Sequence, residues 1–176
     1  RMRSKLIFVV LCIAAASGAQ SSKEVQAPEQ GTQARGYWID PSTNLMWAGK
    51  DNGTDISWKK AVKYCRNLRL ANYSDWRLAS LPELTAIYDK RAESPGENPK
   101  SRWHEAEPMA FHVKGNLFLT GGQWSSEYRK DDRGKNSGYS WYFDFNEGRA
   151  DNDPTGWPYS DEGRRALCVR NPTNAH

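Results

Sequence analysis

The chain has 176 residues, 26% of them charged and 38% hydrophobic, with a formal net charge of +4 and three cysteines. That length suits one domain with a real core and is too short for two comfortable ones. Discounting Arg1, Arg3 and Lys5 as part of a leader lowers the charge from +4 to +1, so overall charge gives no case for nucleic acid as a partner.

The leader is read from its pattern. Cations at Arg1, Arg3 and Lys5, an apolar run from Leu6 to Ala16 and the small residues Ser17, Gly18 and Ala19 make 1–19 a secretory signal peptide, with cleavage expected after Ala19. Its apolar run is too short to span a bilayer. Export is therefore expected, to the periplasm, the extracellular space or the cell surface, without stable membrane insertion. Residues 20–35 are Ser, Gln, Glu, Gly and Ala with no apolar period and predict a flexible tether. The domain is expected over 36–171, and 172–176 is a tail.

Tyr37 to Ile39, the turn Asp40 to Asn44 and Leu45 to Ala48 predict a hairpin, followed by the turn-rich stretch Gly49 to Asp55. From Ser57 to Leu70 an amphipathic helix is predicted. Trp58, Ala61, Val62, Cys65 and Leu68 recur at helical spacing, and Lys59, Lys60, Lys63, Arg66 and Arg69 fall on the other side. Ala71 to Ser74 supply a turn and Trp76 to Leu78 an extended piece. A second helix opens at Ser80, where Glu83 completes a capping box and Pro82 sits in the first turn. Arg91 to Gly115, with Pro95, Pro99 and Pro108 and no sustained period, predicts a long surface excursion. Strands are predicted at Leu117 to Leu119, Gln123 to Glu127, Tyr139 to Phe145, Arg149 to Asp151 and Arg164 to Arg170. In the third of these, Tyr139, Trp141, Phe143 and Phe145 are expected to pack deeply, leaving Ser140, Tyr142 and Asp144 on the available face. The architecture expected is α+β, two helices on an antiparallel sheet.

With Cys12 in the leader, Cys65 and Cys168 remain in a chain bound for an oxidising compartment. One disulfide is the simplest reading and two buried free thiols the other. Candidate chemistry is sparse. His104 with Glu105 and Glu107 reads as a solvated loop rather than a base or metal site, and Asp144 with Glu147 as strand and turn rather than the carboxylate pair of a glycosidase. Asp51 to Asp55 and Asp151 to Asp153 read as turns rather than calcium loops, the first lacking a closing glutamate. No cofactor and no metal are predicted. The sharper candidate is the row Lys59, Lys63 and Arg66, uninterrupted by any acid from Ser57 to Leu70, weighed against an ordinary solvated face. Arg129, Lys130, Arg133 and Lys135 form a second cationic cluster, partly neutralised by Asp131 and Asp132. Trp38, Trp47, Trp58, Trp76, Trp124 and Trp141 are expected in the core, whereas Trp103, Trp157 and Tyr159, beside Pro or Gly, are the rings chosen as exposed ligand contacts.

Trp38 to Trp47, the helix with Trp58 and Cys65, Ser74 to Leu78, Pro82-Glu83-Leu84, Trp124-Ser125-Ser126 and Cys168-Val169-Arg170 together resemble the Lcl C-terminal domain family, over about Gly36 to Arg170. The resemblance implies a C-type-lectin-like fold, related also to the formylglycine-generating enzyme domain, with twisted antiparallel sheet, long loops and a disulfide from a helical cysteine to the final strand, where Cys65 and Cys168 fall. It departs from the lectins, because Glu97-Asn98-Pro99 is not the Glu-Pro-Asn of their calcium site. It departs from the oxidase, because no active cysteine pair is left once Cys65 and Cys168 are joined. The function expected is non-enzymatic recognition of a glycan or anionic polysaccharide at the cell surface or envelope. A secreted carbohydrate-active enzyme and a structural envelope module are the alternatives. The family's adhesin member leaves room for a homo-oligomer, with no trimer-specific residue identifiable here.

Overall fold

A computed structural model describes residues 27–98, 105–156 and 163–172. The expected signal peptide lies outside these residues. The expected tether does not lie wholly outside them: Ala27–Arg35 is a helix, α1, whose Thr32 is buried and accepts the Gly36 amide at 2.8 Å. Gln33 reaches from it to Asn116 O at 2.8 Å. Composition misled here because this short polar helix is held by contacts to the domain and not by an apolar face.

The hairpin is present as β1 (Tyr37–Ile39) and β2 (Met46–Ala48), paired Trp38 to Trp47. Its turn is tied by Asp40, whose carboxylate accepts from Ser42 Oγ and Thr43 Oγ1 at 2.8 and 2.6 Å. Burial pushes the Asp40 carboxyl up, but these bonds together carry it below the ordinary range. α2 spans Trp58–Asn67, with Ala61 and Cys65 fully buried. After it Ala71 and Asn72 both take positive φ, 54° and 65°, between a reciprocal pair of Leu70 and Tyr73 backbone bonds, the geometry of a type I′ turn. β3 (Arg77–Leu78) leads into α3 (Leu81–Ala86), which has the predicted capping box: Glu83 N donates to Ser80 Oγ and Ser80 N to Glu83 Oε2.

The predicted surface excursion is mostly built structure. Ser94–Asn98 (β4) and Glu107–Phe111 (β5) pair as an antiparallel ribbon, and Phe111 and Val113 enter the core. Prolines hide strands from a periodicity reading, yet a ribbon tolerates them wherever no ladder needs their amide. Leu117 to Leu119 forms no strand. It makes isolated bridges to Lys50 and Gly96 beside a 3₁₀ turn at Lys114–Asn116.

The remaining strands are β6 (Gly122–Lys130), β7 (Asn136–Asp144), β8 (Arg149–Pro154), β9 (Arg164–Arg165) and β10 (Cys168–Arg170). They do not make one antiparallel sheet. One four-stranded sheet runs β1-β2-β10-β3 and a second β8-β7-β6-β9, with β6 and β9 parallel. The predicted final strand thus divides at Ala166 and Leu167, both buried, and serves two sheets. β7 also departs from simple alternation. Phe143 and Phe145 are deep in one core cluster, but Tyr142 is buried in the other and Ser140 is inaccessible, whereas Tyr139 is exposed. Both faces of β7 are covered at its end, so alternation there separates two cores instead of core from solvent. Asp151 to Asp153 lies inside β8, not in a turn.

Cys65 and Cys168 are bonded, with Cα atoms 5.3 Å apart and a sequence separation of 103. Closing such a loop is worth about 4 to 5 kcal/mol in the chain-entropy model. The double variant Cys65→Ala with Cys168→Ala is expected to melt roughly 10 °C lower, and reductant should shift wild type but not the variant in a thermal scan. The α3 cap gives a pH test. Burial raises the Glu83 carboxyl, but the Arg77 fork, the Ser80 amide and the Ser80 hydroxyl outweigh it, leaving it below the ordinary 4.5 of a glutamate. Its stability contribution is therefore complete above 4.5 and lost as pH falls through the lower folded value. Urea unfolding of Glu83→Ala should show a loss of about 1 kcal/mol at neutral pH that narrows in acid.

Candidate functional site: the cationic face of the first long helix

α2 is fixed along its whole length. Trp58 Nε1 donates to Ser125 O at 2.8 Å and Trp124 Nε1 returns to Ile56 O at 2.7 Å, so the helix start and β6 exchange indole bonds. Cys65 ties its last turn to β10. The segments flanking it are held by arginines of the last strands. Arg165 pairs with Asp55 just before the helix, and Arg170, fully buried, forks onto Asp75 at 2.6 and 3.1 Å just after it, with its guanidinium 3.7 Å from the centre of the Tyr73 ring. Arg164 lies 3.5 Å from the centre of Tyr142 and pairs with Asp153 at 2.8 Å.

The loop ahead of α2 is a structural clamp. Asp51 accepts from Thr120 N and Oγ1, Gln123 Nε2 and Gly53 N at 2.7, 3.0, 2.9 and 2.9 Å. Asn52 Oδ1 takes the Ala166 amide at 2.6 Å. Its oxygens are thus turned to protein donors, as the turn reading has it. Burial outweighs these bonds and raises the Asp51 carboxyl above its ordinary value.

Against this frame the outer face of α2 is cationic. Lys59, Lys60, Lys63 and Arg66 on the helix, and Arg69 just beyond its end, are exposed, and none makes an ion pair among the described residues. The structure therefore brings Lys59, Lys63 and Arg66 together as predicted. It adds a shallow concavity of about 420 Å³ lined by Lys60, Lys63, Tyr64, Asn67, Leu68 and Arg69. Burial, with the charge of Asp51 second, raises the Tyr64 phenol above 10, so it stays a neutral hydrogen-bond donor. Tyr64 and Asn67 were not singled out from sequence. Their signal is the helical row Lys60, Tyr64, Asn67, which places a ring and an amide among the cations.

The second cationic cluster lies nearby through one contact. Beyond Ser125 the β6–β7 pair extends as an exposed arm carrying Arg129, Lys130, Arg133 and Lys135. At its base Tyr128, 42% exposed, meets Trp58 edge to face with centroids 6.5 Å apart. Asp131 does not pair with these cations among the described residues. Its Oδ1 accepts the amides of Arg133 and Lys135 and closes the arm's turn.

Other candidates are placed as follows. Trp103, Trp157, Tyr159 and His104 lie outside the described residues. Trp38, Trp47, Trp76 and Trp124 are core residues as expected, but Trp58 and Trp141 are only partly buried. Asp144 Oδ1 accepts the amides of Asn146 and Glu147 at 2.8 and 3.2 Å, and Glu147 pairs with Arg149, so these carboxylates build the β7–β8 turn. Among the described residues no group of three or more His, Cys, Asp or Glu is placed to hold a metal, and no helix is long and apolar enough to cross a membrane.

The molecule is thus a disulfide-linked α+β domain presenting a rigidly mounted cationic helix. The model of the Lcl C-terminal domain family matches residues 36–170, and the chain belongs to that family. No curated protein matches the chain closely enough to count as a relative.

The division of labour between buried and exposed cations is testable by stability. Asp75→Ala strands the buried Arg170 and should cost about 2 to 3 kcal/mol in urea unfolding. Lys59→Glu with Lys63→Glu and Arg66→Glu should change it by no more than about 1 kcal/mol.

Proposed function

We propose that this chain is an exported, non-enzymatic recognition domain of C-type-lectin-like fold that binds anionic polysaccharide at the cell surface or envelope. The observation that carries the reading is the exposed, acid-free cationic face of α2. Lys59 and Lys60 stand in the first turn, which has no acidic residue, and Ser57 provides no side-chain cap. Cations there oppose the helix dipole, and four on one short helix, Lys59, Lys60, Lys63 and Arg66, repel each other. A face that weakens its own helix is better accounted for by a ligand than by solubility alone.

The geometry suits a linear polymer. The concavity around Tyr64 offers cations, a neutral phenol and an amide, and the Trp58–Tyr128 contact sets the cationic arm beside the helix start, so successive anionic groups meet charge on both sides of an aromatic pair. Attraction between exposed charges is screened at physiological salt within about 8 Å, so binding by this face is salt-sensitive.

The test is a glycan array that includes sulfated glycosaminoglycans, run on residues 20–176 at two salt concentrations. Hits confined to anionic chains, fading with salt and reduced at least about tenfold by Lys59→Glu with Lys63→Glu and Arg66→Glu, are expected. Salt-resistant hits on neutral sugars would move the site to other loops, Trp103, Trp157 and Tyr159 first. An array without hits would sink polysaccharide recognition.

A further inference from the structure

β1 is an edge strand, paired with β2 on one side and with no strand on the other among the described residues. The ladder fixes which backbone groups face outwards. Gly49 N donates to Gly36 O at 2.8 Å and Asp40 N to Leu45 O at 2.9 Å, so Gly36, Trp38 and Asp40 turn their groups towards β2. By the alternation of antiparallel pairs, Tyr37 and Ile39 turn theirs away.

Tyr37 and Ile39 also line a cleft of about 1360 Å³, bounded by the segments 89–94 and 113–116. Ile39 is 42% exposed in it, a large aliphatic side chain on an unpaired edge. Most of the cleft's charges are engaged. Asp40 is satisfied by its own turn, Asp89 pairs with Arg91, and Lys114 Nζ donates to Ala86 O at 2.8 Å. Two charges have no ion pair among the described residues, Glu93 and Arg35, and Arg35 alone of the two lies over a ring of β1, its guanidinium 5.7 Å from the centre of Tyr37.

We propose that this cleft receives an extended segment of a partner polypeptide, added as a strand on the outer edge of β1, with an apolar side chain over Ile39 and an acidic side chain at Arg35. Outward amides and carbonyls alternating at strand spacing are matched by another extended backbone, whereas a sugar or a small anion satisfies only part of such a row. Three residues of strand span roughly 10 Å, which brings the amides and carbonyls of both Tyr37 and Ile39 within reach of a short segment. The site is independent of the cationic helix: none of the residues lining it belongs to α2.

The test is selection of a phage-displayed library of short linear peptides against the full chain, followed by titration of synthetic versions of the binders. Binders with an apolar and an acidic residue are expected. Ile39→Pro removes an outward amide that β2 does not use, a change that edge strands tolerate, and should weaken them at least about tenfold, as should N-methylation at alternate peptide residues. Arg35→Glu, which leaves the strand untouched, should weaken the acidic binders similarly should Ile39→Pro fail to fold. Charge reversal on α2 should leave peptide binding unchanged. A library without binders, or binders indifferent to all three changes, would overturn the proposal. So would a dimer of the chain that Ile39→Pro dissociates, because a second copy would then occupy the edge.

Discussion

The structure depends on the segment from Arg164 to Arg170, every residue of which is buried. A run with three arginines does not enter a core for hydrophobic reasons. It enters because each guanidinium meets a carboxylate: Arg164 with Asp153, Arg165 with Asp55 and Arg170 with Asp75. Two of the three also lie over aromatic rings. Such pairs do little for net stability once desolvation is counted, but they are costly to break singly and they specify geometry. Ala166, Leu167 and Val169 supply the apolar burial between them, and Cys168 adds the covalent tie.

What that segment specifies is the placement of α2. Asp55 precedes the helix, Cys65 lies in it and Asp75 follows the turn after it, so one strand segment grips the helix before, within and beyond its span. The same segment joins the two sheets, β9 lying on β6 and β10 between β2 and β3. The helix is therefore mounted on the junction of both sheets, which permits its outer face to carry four cations at a cost to helix stability that an isolated ten-residue helix would not survive.

The elements legible in the sequence were those whose signal is local. α2 could be read from apolar spacing, α3 from Ser80 and Glu83, and the first hairpin from Asp40 to Asn44, because period, cap and turn each reside in a few adjacent residues. The partition of the strands into two sheets was not legible, because it turns on where Ala166 and Leu167 pass from one sheet to the other. Nor were β4 and β5, whose prolines look like loop, or α1, whose polar face has no period. At the site, Lys59, Lys63 and Arg66 could be placed on one face from spacing alone. The contact of Trp58 with Tyr128, seventy positions on in the chain, joins two cationic clusters that sequence could only treat separately.

The same reasoning separates the two kinds of arginine in this chain, which composition counts alike. Arg164, Arg165 and Arg170 are spent on structure, and their positions in buried β-strands leave no side chain free for a ligand. Arg66 stands on a helix whose opposite side is already anchored by Ala61 and Cys65, and Arg69 follows just after it, so the frame needs nothing from their charges. A net charge of only +4 is then compatible with a strongly cationic helix face, because structural carboxylates such as Asp51, Asp75 and Asp153 are bonded to their own donors and leave the outer helix unopposed. Charge segregation, more than charge total, is the property of this fold on which the proposed recognition rests.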